Sequence, residues 1–146
     1  MHTAARRLVL TLLFLVPTLA YAAGASPVGT WRTFDDADGK ENGTVTIIDS
    51  NGVLYGSVSG ITDPARANAV CTACTDDRAG KKVIGLQIIR GLKPDGAEWD
   101  GGEILDPKSG KAYRCSLRLE DGGNKLLVHG YIGISLIGRT QTWVRK

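Results

Sequence analysis

The residues best equipped for chemistry in this chain are Cys71, Cys74, Cys115 and His129. Cys71-Thr72-Ala73-Cys74 has the C-x-x-C spacing of thiol redox motifs. Redox work needs a depressed thiol pKa, usually from a helix N-terminus. Here Thr75-Asp76-Asp77 follows and places negative charge beside the pair, which disfavours thiolate. The pair therefore reads as a structural disulfide. Loop-closure entropy alone would favour Cys74–Cys115 or Cys71–Cys115, at about 4 kcal/mol for roughly 42 residues against about 2 kcal/mol for four. Cys115 faces inward between Tyr113 and Leu117, however, while Cys71 and Cys74 share one irregular loop. The expectation is a Cys71–Cys74 disulfide with Cys115 a buried free thiol. Three cysteines and His129 make a Cys3His set only on paper, since structural zinc sites show two tight pairs. No metal or cofactor is expected.

Other catalytic patterns are missing. Ser135 lies in Gly133-Ile134-Ser135-Leu136-Ile137-Gly138, one residue too long for a nucleophile elbow. Asp100, Glu103 and Asp106 lie close in sequence, with Asp100 and Asp106 expected on one strand face and Glu103 on the other. They read as a solvated face rather than an acid/base pair. Asp36-Ala37-Asp38-Gly39 echoes part of a calcium loop but lacks its closing glutamate, and reads as a hairpin turn. No enzyme activity is expected. What remains is recognition: Trp31, Tyr55, Trp99, Tyr131, Arg139 and Trp143 are the candidate ligand-binding residues, aromatic walls with one cation for a carboxylate or phosphate.

These side chains must be positioned by a chain of 146 residues, one domain's worth of material. Hydrophobic residues make up 42% and charged residues 23%, so it should fold. The net charge of +3 is too small a surplus to argue for nucleic acid. The N-terminus has its own pattern. Arg6-Arg7 precede an apolar run over 8–19 that is shorter than the roughly 20 residues a bilayer requires. Ala20-Tyr21-Ala22 then supplies an A-x-A-like site. This three-part order is that of a secretory signal peptide, with cleavage expected after Ala22. Residues 1–22 would be removed and 23–146 would form the domain, with a net charge of +1 once Arg6 and Arg7 are gone. No later stretch is apolar for long enough to span a membrane, so the expected location is the bacterial periplasm or the exterior.

Beyond the leader, Asp38-Gly39, Asn51-Gly52, Asp95-Gly96, Ser109-Gly110 and Asp121-Gly122 read as turns. Between them lie runs rich in Val, Ile, Leu, Thr, Tyr and Trp, predicting strands over 28–34, 44–50, 53–61, 82–92, 98–106, 111–120, 125–132 and 135–145. Alternation gives them sides: Tyr113, Cys115, Leu117 and Leu119 face in while Arg114, Ser116 and Arg118 face out. The run 83–89 is apolar throughout, so that strand must be buried on both faces or covered from outside. The one irregular stretch is 62–81. Eight antiparallel strands with tight turns predict an all-β, up-and-down barrel, closed so that no edge is exposed.

Gly29-Thr30-Trp31 at the head of the first strand resembles the opening of lipocalin and calycin barrels. The chain as a whole resembles a narrower group, the bacterial domain-of-unknown-function 2147 family. The matching stretches are Gly29-Thr30-Trp31-Arg32-Thr33, Asp35-Asp36, Leu54-Tyr55-Gly56, Cys71-x-x-Cys74, Ile84-Gly85-Leu86 and Gly101-Gly102-Glu103-Ile104-Leu105-Asp106-Pro107. They continue through Ser109-Gly110-Lys111-x-Tyr113 and Gly130-Tyr131-Ile132-Gly133-Ile134-Ser135, and end at Gly138-Arg139-Thr140-Gln141-Thr142-Trp143. The resemblance implies an exported, lipocalin-like barrel and names no reaction. It also implies that Trp31, near the start of the first strand, plugs one end with a late-strand arginine packed on it, Arg139 or Arg145, guanidinium stacked on indole.

The leading expectation is thus a barrel that binds a small, mostly apolar ligand without catalysis, in a lumen just wide enough for one. The alternative is an envelope interaction or stress protein with a filled barrel, acting through its surface or the Cys71–Cys74 loop.

Overall fold

Turn chemistry sets the frame. The computed structural model describes residues 25–134 and 136–146; the expected leader 1–22 with its cleavage site, and Ser135, lie outside the described residues. Eight strands follow in order: β1 (Gly29–Phe34), β2 (Glu41–Ser50), β3 (Val53–Ile61), β4 (Gln87–Asp95), β5 (Glu98–Asp106), β6 (Lys111–Glu120), β7 (Lys125–Tyr131) and β8 (Gly138–Arg145). Each pairs antiparallel with its neighbour in sequence, and β1 pairs with β8 to close the barrel. The tightest connection shows why the register holds. Ser50 pairs with Val53 across Asn51-Gly52, whose φ angles of 55° and 82° are both positive. Asparagine and glycine adopt that conformation most readily, and its twist matches that of the flanking strands. Asp49 Oδ1 also accepts a 2.8 Å hydrogen bond from the Gly52 N–H.

Alternation divides inside from outside as the sequence implies. Ile47, Leu54, Leu117 and Leu126 point into the lumen and are completely or almost completely buried. Cys115 sits among them, facing Gly102 on one neighbouring strand and Gly130 on the other. Gly56 lets two large side chains meet: a Cβ there would lie 3.1 Å from Ile89 and 3.4 Å from Ile47. Burying each such aliphatic side chain contributes about 1.5–3 kcal/mol.

The structure revises four sequence expectations. β2 begins at Glu41, three residues early, because the ladder with β1 runs on to Phe34. β4 begins at Gln87 rather than residue 82. Gly85 has φ +91° and Leu86 N–H bonds back to the Val83 carbonyl at 3.0 Å, so residues 83–86 form a turn. The apolar run thus serves two elements. In β5 the register with β6 shifts between Trp99 and Gly102, while on the β4 side Asp100 lies opposite Lys93 and Glu103 opposite Arg90. Asp100 and Glu103 therefore share the outer face and Asp106 takes the inner one, contrary to simple alternation. β8 starts at Gly138, three residues later than expected.

The irregular stretch is a strap over residues 62–86, lying outside β4, β5 and the β5–β6 turn. A single 3₁₀ turn, Pro64–Arg66, is its only helical element. The Cys71–Cys74 disulfide ties its bend, and Cys115 is a buried free thiol. Arg78 is the pin. It is 1% exposed, and its guanidinium donates to Asp76 Oδ2 at 2.6 Å, Glu103 Oε1 at 2.9 Å and the Gln87 carbonyl at 3.1 Å. Arg90 on β4 returns the grip through paired 2.9 Å bonds to Asp77. Among the described residues no helix is long and apolar enough to cross a membrane.

Candidate functional site

The two ends of the barrel differ. At the end where β1 begins and β8 finishes, Trp31 is completely buried and the Arg145 guanidinium lies 4.2 Å from the centre of its ring. Trp31 Nε1 donates to the Pro27 carbonyl at 2.8 Å. Arg145 donates to the carbonyls of Gly123, Ser26 and Val28 at 2.8, 2.8 and 3.0 Å. All these polar groups serve one another, so this end is a plug. Of the two arginines considered for Trp31, the partner is Arg145.

The other end is open. Where β1 ends and β8 begins, a cavity of about 730 Å³ enters the lumen. That lies within the 300–1,000 Å³ usual for a small-molecule site. Its wall is apolar: Val45, Val58, Val83, Ile104, Val128 and Trp143 all line it. Val83 comes from the strap, not from a strand. The β3–β4 ladder ends at Ser57–Gln87, and beyond it the strap fills the wall, with Val58 N–H on the Leu86 carbonyl at 3.0 Å and Gly85 N–H on the Val58 carbonyl at 2.7 Å. The disulfide and Arg78 therefore hold a piece of the cavity wall in place.

The mouth is polar, and two of its cations are paired. Arg139 Nη1 lies 2.9 Å from Asp36 Oδ2, and Gln141 Nε2 donates to the same oxygen at 2.8 Å. Gln141 Oε1 in turn accepts from Trp143 Nε1 at 3.2 Å, so a chain of polar contacts runs from rim to wall. Lys108 Nζ donates to Asp35 Oδ2 at 2.8 Å. Lys108 lies in the β5–β6 turn and Asp35 at the end of β1, four strands apart around an eight-stranded cylinder. This contact is a strut across the mouth. The Lys108 hydrogen bond, with one from the Ala37 N–H, holds the Asp35 carboxyl below the usual range.

Of the six residues proposed from sequence, Tyr131, Arg139 and Trp143 line the cavity, and Trp31, Tyr55 and Trp99 do not. Trp31 belongs to the plug. Tyr55 pairs with Ile48 on the outer face, and Trp99 packs against the core. Tyr131 reaches the rim, but its hydroxyl is committed to Asp100 Oδ1 at 3.1 Å and its ring stacks on His129. Gln141, Lys108 and Val83 were not among the expected site residues, and Asp36 was read only as part of a hairpin turn. None of them sits in a binding motif, and Val83 gave no sign that a loop would enter the wall.

Burial pushes the Cys115 thiol up to about 12, with the Asp100 charge adding to the effect. His129 Nδ1 is 2.8 Å from the Thr140 hydroxyl on the outer face. Among the described residues no three His, Cys, Asp or Glu side chains converge to hold a metal.

Comparison with known proteins agrees with this architecture. A family model described as "Uncharacterized protein conserved in bacteria (DUF2147)" matches residues 29–145. A solved structure described as "Protein HP1028 from the human pathogen Helicobacter pylori belongs to the lipocalin family" superposes with a TM-score of 0.72. It is 19% identical, and the match covers 84% of this chain and 84% of that one. At that identity the likeness speaks for the fold alone. No curated protein matches.

Proposed function

The chain belongs to DUF2147, a bacterial family described as uncharacterised, and from that footing we propose that it is an exported carrier of a small, mostly apolar ligand. The carrying observation is the division of one lumen into a plugged end and an apolar cavity of about 730 Å³ with a polar rim. A barrel meant only as a scaffold would be filled along its whole length with side chains. A ligand with an apolar body and one polar end fits this layout, the body against Val45, Val128 and Trp143 and the polar end beside Arg139 and Gln141. The protein would hold the molecule without transforming it. In support, the free thiol is protonated at neutral pH and the other two cysteines are joined to each other. Export accords with the disulfide, which persists in oxidising compartments.

Trp143 is the built-in reporter. Titration with a panel of fatty acids and isoprenoids should change its fluorescence, and Trp143→Phe should remove most of the change. Native mass spectrometry of protein taken from the periplasm should find an added mass. A bare mass together with a flat titration would refute the carrier reading.

A further inference from the structure

The connection between β7 and β8 carries the most exposed apolar side chains of the described residues. Leu136 is 90% exposed, Ile132 69%, Ile137 66% and Ile134 60%. Of the remaining large exposed aliphatics, Val28 precedes β1, Ile48 lies on β2, and Val70 and Ile84 lie far apart in sequence on the strap. Water does not favour four aliphatics on one short connection, and no strand pairing needs them there. We propose that this hairpin tip is a membrane-docking element, which inserts its aliphatics into a lipid bilayer and brings the mouth of the barrel onto the surface.

Three observations favour a bilayer over a protein partner. Four side chains so exposed present on the order of 500 Å², the size of the largest patch on an ordinary monomer. A stable dimer needs roughly 800 Å² per partner, and the charged mouth around the tip does not extend the apolar area. Next, Ile137 N–H bonds to the Ile134 carbonyl at 3.1 Å, so the tip satisfies part of its own backbone, as an apolar medium demands. Last, two of the cations lining the mouth are already paired, Arg139 with Asp36 and Lys108 with Asp35, so desolvating that part of the rim strands neither of them. Attraction through the apolar tip, rather than through charge, follows. Ile132 and Ile137 also line the cavity, so a docked tip would join lumen to bilayer by a continuous apolar path. The inference stands whether or not the cavity holds a ligand.

The test compares the wild-type chain with the double variant Ile134→Asp/Leu136→Asp, two residues that do not line the cavity. Both carry the same N-terminus, so their difference reports the tip. Each is mixed with vesicles of phosphatidylethanolamine and phosphatidylglycerol, and with neutral phosphatidylcholine vesicles, at low and high salt. Wild type should sediment with both kinds, with little dependence on salt. The variant should bind at least about tenfold more weakly while melting at the same temperature. A Leu136→Trp variant should show added emission that vesicles shift to the blue and brominated lipid quenches. Wild type left in the supernatant, equal sedimentation of the double variant, or loss of binding at high salt would overturn the proposal. So would a wild-type dimer that the double variant abolishes, which would assign the tip to a second copy of the chain.

Discussion

Replacing Arg78 with methionine tests whether the strap is held by one buried cation. The substitution keeps the length of the apolar stem and removes every donor. Arg78 is 1% exposed, and its guanidinium bonds to Asp76, Glu103 and the Gln87 carbonyl. Breaking a fully buried pair by deleting one partner costs about 3–5 kcal/mol. Here both carboxylates are roughly two-fifths exposed, so water can re-solvate them. The Gln87 carbonyl loses a charged donor, worth about 1.5–3 kcal/mol. The net expectation is about 2–3 kcal/mol, a fall in melting temperature on the order of 10 °C for a domain of this size. The effect should begin locally. Amide exchange should accelerate first across residues 69–86, where the strap bonds to itself and to Val58, and only later in β6 and β7. Calorimetry with hydrogen-exchange mass spectrometry measures both. A melting point unchanged within 2 °C, or faster exchange spread evenly over the barrel, would refute the reasoning.

Further expectations follow from the same geometry. Hydrogen bonds from the Arg78 guanidinium and N–H hold the Asp76 carboxyl at about 2 against 3.8 for an unperturbed group. Below about pH 4 the unfolded chain therefore takes up a proton that the folded chain refuses, so stability falls as pH drops from about 4 to 2. Urea midpoints across that range should show the fall, and Arg78→Met should flatten this part of the profile. Replacing Cys71 and Cys74 together with alanine should cost about 2 kcal/mol, the entropy of so short a loop, measured by denaturant unfolding. Arg145→Ala should cost about 2–3 kcal/mol through the lost indole stacking and carbonyl bonds, and Arg145→Lys should recover little, since an ammonium cannot reproduce the fork. Lys108→Met removes a strut whose ends are exposed, so stability should move by less than about 1 kcal/mol. Exchange of any bound fluorescent fatty acid should nonetheless quicken in stopped flow, because the contact spans the mouth.

The barrel itself was legible because its rules are local. Period-two alternation in β6 and the Asn51-Gly52 turn each carry their geometry within a few residues. The disulfide was legible because Cys71 and Cys74 share one irregular loop while alternation turns Cys115 inward, although loop-closure entropy alone pointed to Cys115 as a partner. Residues 82–86 were not, because an apolar run reads the same in a strand and in a turn that seals a wall. The bulge in β5 depends on how β6 lines up across Gly102, which no single-strand pattern contains. Arg78 also escaped notice, since its partners Asp76, Gln87 and Glu103 come from three different segments. At the site the pattern repeats. Trp143 and Arg139 were found because residue type alone suggests recognition. Asp36 and Gln141 matter only because the closed barrel brings the β1–β2 turn beside β8.

The unequal ends of the lumen bear on how a binding barrel gains both rigidity and access. Large side chains, with Trp31 and Arg145 as the stopper, lock one half, and that half carries most of the fully buried core. The open half lacks such filling and must be steadied from outside. The strap does this by lending Val83 to the wall and anchoring itself through Arg78 and a disulfide. The rim is steadied by Asp35–Lys108 and Asp36–Arg139, pairs weak enough singly to part without unfolding the barrel. Stability is thus concentrated where nothing need enter, and the contacts at the mouth are exposed ion pairs that can exchange with water or with a ligand's polar end.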